Sequence, residues 1–294
     1  MGVIDLAALL ADHEGILLAS QHRARKSSLS RWCLAGRIVR VLPGVYVHPD
    51  AADDLVTRLR ALVARVPDAI VVGAAAAKLT AWPNEKVATI EAITATTRVA
   101  KHGYRFIRRR VAPQQLRHRG PVTLLCAAQV AVDSAATDLG DRIDLLLRKG
   151  YPPAEFEAAL AASPKRAGNR VRRRVVNRSK TRPFSRAERI LHDLLDRHHM
   201  RGWVANDAVV ACGANYEIDV AFRERKLALE VDGYEFHSSR AAFEADRHRN
   251  NDLTEADWTV LHITWAMLMA DPERVIARIR AVLARRRKRR SPLD

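Results

Sequence analysis

Two short apolar stretches of this 294-residue chain carry acids at spacings that could hold a metal ion. Asp219 lies inside Ile218-Asp219-Val220-Ala221-Phe222, and Glu230 and Asp232 close Leu227-Ala228-Leu229-Glu230-Val231-Asp232-Gly233. A carboxylate in an apolar strand is costly to desolvate unless a cation or hydrogen bonds compensate it. Strand alternation turns Lys226, Ala228, Glu230 and Asp232 to one face and Leu227, Leu229 and Val231 to the other. Asp219, Glu230 and Asp232 together outline a hard-oxygen site for Mg²⁺ or Mn²⁺. The chain carries a net charge of +17, which calls for a polyanionic partner, nucleic acid being the commonest. Acids that bind a divalent cation on a basic protein point to metal-dependent chemistry on nucleic acid.

The elements that must position these acids lie in the block 184–290. It reads as a helix over 186–198, strands over 203–210, 216–222 and 227–231, a helix over 240–255, a strand over 259–264 and a helix from Pro272 to Leu283. Trp203, Trp258 and Trp265 suit a sheet-on-helix core better than base stacking. Upstream, residues 163–183 hold nine basic residues, among them Arg172, Arg173 and Arg174, and no acid. With Pro164, Gly168 and Pro183 interrupting it, this stretch reads as a basic interdomain linker, solvated or touching phosphate. Residues 51–162 read as a mixed α/β middle domain, with helices at 55–66, 74–82 and 124–139 and strands at 87–94 and 104–110. No catalytic constellation is seen there.

Residues 1–50 read as three helices and a hairpin. The helices carry Leu6, Leu9 and Leu10, then 17–23, then 25–35, and two strands flank Pro43-Gly44. That is the layout of a winged helix-turn-helix. Arg25, Lys26, Arg31, Arg37 and Arg40 are its candidate DNA contacts. At 48% hydrophobic residues the chain is globular rather than disordered. Cys33, Cys126 and Cys212 have no metal-binding spacing and read as small hydrophobes in a reducing compartment. Neither a secretory signal nor an apolar run of membrane-spanning length is seen, so a soluble cytoplasmic protein with no membrane role is expected.

The acid pattern, Glu188 on a helix, then Asp219, then Glu230-Val231-Asp232, resembles the PD-(D/E)XK restriction-endonuclease-like fold. With Gly233, His237, Asp246-Arg247, Asn250-Asn251, Leu253 and Trp258-Thr259-Val260-Leu261, the last hundred residues look more specifically like domain of unknown function 559. That group is related to the very-short-patch repair endonucleases. The resemblance implies a three-layer α/β/α domain and a multidomain α/β (α+β) protein. The Gly36-Arg37-Ile38-Val39-Arg40-Val41-Leu42-Pro43-Gly44-Val45-Tyr46 string resembles the winged-helix antitoxins of the AbiEi type, which implies DNA binding and autorepression. No cognate toxin is visible in the chain.

In the resembled nuclease fold Asp219 and Glu230 would ligate the metal, with Glu188 nearby. Ser185-Arg186-Ala187-Glu188 is equally a capping box, so Glu188 has two open readings. Asp232 stands where the broader motif carries lysine, and it also suits a turn before Gly233. A base or electrophile must then come from Lys226, His237 or Arg247. Asp246 and Asn250, four apart, would line a polar site on the same helix as Arg247. Two functions follow. One is a Mg²⁺-dependent DNA endonuclease in repair or defence; the other is an antitoxin-like repressor whose nuclease-fold domain no longer cleaves. A pseudo-palindromic target would call for a homodimer, although no dedicated dimerisation element is seen.

Overall fold

The computed structural model of the chain describes residues 5–95, 103–232 and 240–288, the side chains of 240–243 and 287–288 excepted. Two compact units emerge: Met1–Ser134 with Ala161–Lys165, and Ala135–Leu160 with Arg166–Asp294.

The first unit begins with α1 (Leu6–Asp12), whose N-cap Asp5 accepts the Ala7 N–H at 2.9 Å. The strand β1 (Ile16–Leu18) follows, then α2 (Lys26–Leu34), β2 (Val39–Leu42) and β3 (Val45–Val47), forming a sheet of order β1-β3-β2. The helix expected at 17–23 is therefore absent. Gly15, at φ 83°, turns the chain, and Ile16-Leu17-Leu18 pairs antiparallel with Val47-Tyr46-Val45 instead. Its side chains alternate between two clusters, Leu17 packing with Leu29 and Ile38, and Ile16 with Val45 and Val47.

Next come α3 (Leu55–Arg65), β4 (Ile70–Val72), α4 (Gly73–Thr80), β5 (Ile90–Ile93), β6 (Tyr104–Ile107), β7 (Leu116–Arg119), β8 (Val122–Leu125) and α5 (Ala127–Ser134). Their five strands run in the order β6-β5-β4-β8-β7. The single helix expected at 124–139 is instead the end of β8 plus the shorter α5, because Leu124 pairs with Val71 and Arg117 in the sheet. Ile16, Val41, Val45 and Val47 share one core with Leu59, Leu62, Val71 and Ile90. The boundary expected near residue 50 thus does not separate two cores.

The second unit holds α6 (Asp141–Arg148), α7 (Pro153–Ala161), α8 (Asn169–Arg178), α9 (Arg186–Arg197), β9 (Val204–Ala211), β10 (Ala214–Phe222), β11 (Leu227–Asp232), α10 (Arg240–Glu255), β12 (Thr259–Thr264), α11 (Trp265–Ala270) and α12 (Pro272–Lys288). About half of the stretch read as a linker is α8. Its Val175 and Val176 are buried, and Arg178 bridges Asp193 and Asp196 on α9 at 2.6 and 2.8 Å. The charge run concealed an apolar stripe.

The sheet has the order β12-β11-β10-β9. β9, β10 and β11 are antiparallel, and α10 crosses over to bring β12 parallel to β11. Leu191, Leu194 and Leu195 of α9 and Ile276 and Ile279 of α12 pack on one face with Val220, Leu227 and Leu229. Leu253 of α10 packs on the other with Ile218, Ala221 and Ala228. Helices on both faces of a mixed sheet bring the start of α9, the middle of β10, the end of β11 and the middle of α10 into one neighbourhood.

A buried ion pair, Arg189 of α9 with Asp144 of α6, braces that start of α9, the two side chains being 8% and 3% exposed. Removing Asp144 would leave Arg189 only its longer contact with the half-exposed Asp141, at 3.7 Å. Asp144→Ala is expected to lower unfolding free energy by about 3–5 kcal/mol, and Asp144→Leu with Arg189→Met to recover most of it. Denaturant titration checks both; an additive double variant would contradict the coupling.

Candidate active site

The β10–β11 ladder runs Phe222↔Leu227, Ala221↔Ala228, Val220↔Leu229 and then stops. Continued one step further the register would set Asp219 opposite Glu230, and the two carboxyls are close enough to repel. Asp219 Oδ2 accepts the Val231 N–H at 2.7 Å, so the side chain occupies an amide that the ladder would otherwise use. The alternation of β10 also breaks here. Tyr216 and Ile218 pack with Leu253 and Trp258, whereas Val220 and Phe222 pack on the α9 face. In β9 the facing position is Asn206, at φ 46°, and the register passes directly from Ile218↔Asp207 to Val220↔Ala205. The strand is remodelled around its acid.

Glu230 is 6% exposed, and its Oε1 accepts from Arg249 Nη2 of α10 at 2.7 Å. The same nitrogen donates to the Glu217 carbonyl at 2.5 Å. Glu188, also 6% exposed, takes part in the cap of α9, although its carboxylate reaches the N–H one residue before the N-cap Ser185. Ser185 Oγ accepts its N–H at 3.1 Å, and its own Oε2 accepts the Phe184 N–H at 2.8 Å. That reciprocal cap leaves the carboxyl close enough to Asp219 for the two to repel.

These groups share one field. Burial pushes the Glu230 carboxyl up to about 8; Asp219 adds to the rise and Arg249 opposes it. Glu188 is raised to about 7, first by burial, against the Phe184 N–H and with a contribution from Asp219. Asp219 is raised by burial too, against the Val231 N–H and Arg249, while Glu217 and Asp232 push further upward. Three coupled carboxyls with raised pKa values are where a proton or a cation is most wanted.

Asp232, at the end of β11, lies 3.3 Å from His262 Nδ1 of β12. The parallel register sets His262 beside Glu230 and Thr264 beside Asp232. His262 and Arg249 are the two site residues that sequence reading missed. Arg249 had a signal: it precedes the inward-facing Leu253 by four residues and so shares its helix face. His262 had none, because a parallel pairing across a crossover cannot be read locally.

Lys226 is not part of this group. It precedes β11 in the left-handed region, at φ 46°, and its Nζ donates to the Ala256 carbonyl at 2.9 Å. Four residues of strand put it about 13 Å from Glu230. Its alternation with Glu230 fails because the strand starts only at Leu227. Arg247 is exposed on α10, two residues before Arg249; Asp246 and Asn250 lie 3.4 Å apart on the same helix. His237 lies outside the described residues.

Asp219 and Glu230 suit a hard cation, each offering a second carboxylate oxygen beyond the one used by Val231 or Arg249. Mg²⁺ is commonly held by one or two carboxylates with the rest of its shell water. Among the described residues no group of three or more His, Cys, Asp and Glu side chains is arranged to hold an ion. Among the described residues, then, Asp219, Glu230 and Asp232 are not gathered into the three-acid metal group that the sequence outlines.

Of the candidate DNA contacts, Lys26, Arg31, Arg37 and Arg40 are exposed and Arg25 is half-buried. Arg172 differs from expectation. It is 7% exposed, and its Nη1 donates to the Ala167 carbonyl at 2.5 Å, so it faces inward. Arg173 is exposed; Arg174, also exposed, pairs with Asp193 at 2.8 Å. A cleft in the second unit is lined by Arg170, Arg173, Arg174, Arg178, Lys180 and Arg197 among others.

Comparison with known proteins finds a similarity within the second unit. Residues 190–283 match the family model REase_MTES_1575, so this part of the chain is similar to restriction-endonuclease-like domains, which supports a nuclease-like C-terminal domain. Asp219, Glu230, Asp232, Arg249 and His262 lie inside the matched span; Glu188 lies just before it. Among solved structures, the Homing Endonuclease I-Bth0305I Catalytic Domain aligns at 22% identity with a TM-score of 0.29, covering 34% of this chain and 95% of that one. No curated protein matches the chain.

The raised Glu188 carboxyl makes a signed prediction. Its folded pKa of about 7 lies above the ordinary 4.5, so the folded state holds its proton more tightly than the unfolded state. The associated stability is present below about 4.5 and is lost as pH rises toward 7. Glu188→Gln cannot titrate but keeps a carbonyl for the Phe184 N–H. The stability of Glu188→Gln relative to wild type should therefore grow by about 2–3 kcal/mol between pH 4.5 and 7.5. Urea titrations at several pH values measure it, and a pH-independent difference would contradict the raised pKa.

Proposed function

We propose that this protein is a metal-dependent DNA endonuclease that hydrolyses phosphodiester bonds with Mg²⁺ or Mn²⁺ held by Asp219 and Glu230. The observation that carries the reading is the facing pair of buried, mutually repelling carboxyls inside the restriction-endonuclease-like span. A pair kept only for structure would be better replaced by apolar residues, since its desolvation is offset only in part by the Val231 amide and Arg249. A bound divalent cation supplies a water of lowered pKa and neutralises charge on the phosphate.

The chain's own residues supply the rest. Asp219 and Glu230 would hold the ion, and the Asp219 carboxylate is oriented by the Val231 N–H. Glu188 adds negative field from the start of α9. His262, exposed, 3.3 Å from Asp232 and beside Glu230 in the strand register, is the described imidazole placed to act as a proton acceptor. His237 remains a second candidate by sequence.

DNA is the substrate class favoured by the net charge of +17 and by the exposed basic residues of α2, the hairpin β2–β3 and the α8–α9 cleft. Asp232 in the lysine position of the broader motif is the feature that favours the alternative, a DNA-binding repressor with a silent nuclease fold.

With Mg²⁺ or Mn²⁺ the purified protein should nick or cut duplex DNA, and EDTA should stop it. Asp219→Ala and Glu230→Ala should each abolish cleavage and leave duplex affinity unchanged or higher, since a lost carboxylate repels phosphate less. Gel-based cleavage and binding assays at fixed salt decide it. Tight binding without metal-dependent cleavage of plain, mismatched or modified duplexes would favour the repressor.

A further inference from the structure

An acid cluster that handles phosphate needs a cation besides the metal, and the position that carries lysine in the broader motif is Asp232. Lys226 is held at the far end of β11 by the Ala256 carbonyl. Arg249 is the basic side chain in contact with Glu230, and its charge acts on Asp219 as well. Its side chain is 24% exposed, so it is anchored without being sealed in. Both of its bonds, to Glu230 and to the Glu217 carbonyl, leave from Nη2. Nε and Nη1, the other donors of the planar fork, are not spent on those contacts. A guanidinium fork matches two oxygens of a phosphate, which a point-charge ammonium cannot.

We propose that Arg249 is the phosphate-binding cation of this site, resting on Glu230 in the free protein and engaging the scissile phosphate when DNA and metal are bound. The role rests on the endonuclease reading above. Glu230 would then be a shared station: Arg249 balances its charge in the free protein through Oε1, and its other carboxylate oxygen would be left for the ion. Arg249 then touches the reacting phosphate and counts as a catalytic residue rather than a brace for Glu230.

The test uses the full chain with Arg249→Met and Arg249→Lys, reading Mn²⁺ binding to DNA-free protein by electron paramagnetic resonance and single-turnover cleavage in parallel. Arg249→Met should bind Mn²⁺ at least as tightly as wild type yet cleave about 10²–10³-fold more slowly, the usual loss for one missing transition-state donor. Arg249→Lys keeps the charge without the fork and should recover part of that rate. Loss of Mn²⁺ binding in Arg249→Met would reduce Arg249 to a brace for Glu230 and overturn the proposal. So would an unchanged cleavage rate, or an Arg249→Lys variant as slow as Arg249→Met. Should Arg249→Met fail to fold, Arg249→Lys decides alone: Mn²⁺ binding kept with cleavage slowed supports the role, and a wild-type rate overturns it. Wild type that neither binds Mn²⁺ nor cleaves sinks the endonuclease reading itself; wild type that cleaves beside a fully active Arg249→Met sinks only this one.

Discussion

Glu188, Asp219 and Glu230 are carboxyls removed from solvent near one another, and among the described residues the Arg249 guanidinium lies against Glu230. Burial alone would drive each toward its neutral form, and their proximity adds to that drive. Much of the second unit can be understood as what makes this arrangement tolerable. The Val231 amide satisfies Asp219, the Phe184 amide satisfies Glu188, and Arg249 satisfies Glu230. Each compensation comes from a different element: β11, the turn before α9, and α10. The sheet, its crossover helix and α9 must all be in place before the acids can coexist.

The local irregularities follow from the same constraint. β10 exchanges faces at Asp219, so an acid can enter the cleft without displacing Ile218 or Val220 from their separate cores. The ladder to β11 stops where the carboxylate takes over an amide. Such departures from regular pairing tend to gather where function demands them. Arg189 and Asp144 brace the start of α9, keeping Glu188 at the edge of the group.

Much of this was legible in the sequence. The helix ending at 255 and the strand 259–264 are legible in the sequence, and alternation sets Glu230 on one face of 227–231, whereas that of 216–222 breaks at Asp219. What escaped was non-local or masked. Three apolar residues at 16–18 cannot distinguish helix from strand without a partner, and the partner lies near residue 46. The charges of 165–182 hid Val175 and Val176, so a packed helix read as a linker and Arg172 as a surface contact. Lys226 was assigned a strand face one residue before the strand begins. His262 reaches Asp232 only through a parallel pairing that α10 makes possible. The resemblance to restriction-endonuclease-like domains is matched by the family model over 190–283; the winged-helix reading of the first fifty residues stays a proposal.

The central claim is that Asp219 and Glu230 together hold one divalent cation. Crystals of the protein soaked in Mn²⁺ and measured near the manganese absorption edge test it most directly. The account predicts an anomalous peak with a carboxylate oxygen of each residue at about 2.0–2.6 Å, water filling the remaining shell. An empty site at saturating Mn²⁺, or a peak elsewhere with Arg249 still seated on Glu230, would contradict it.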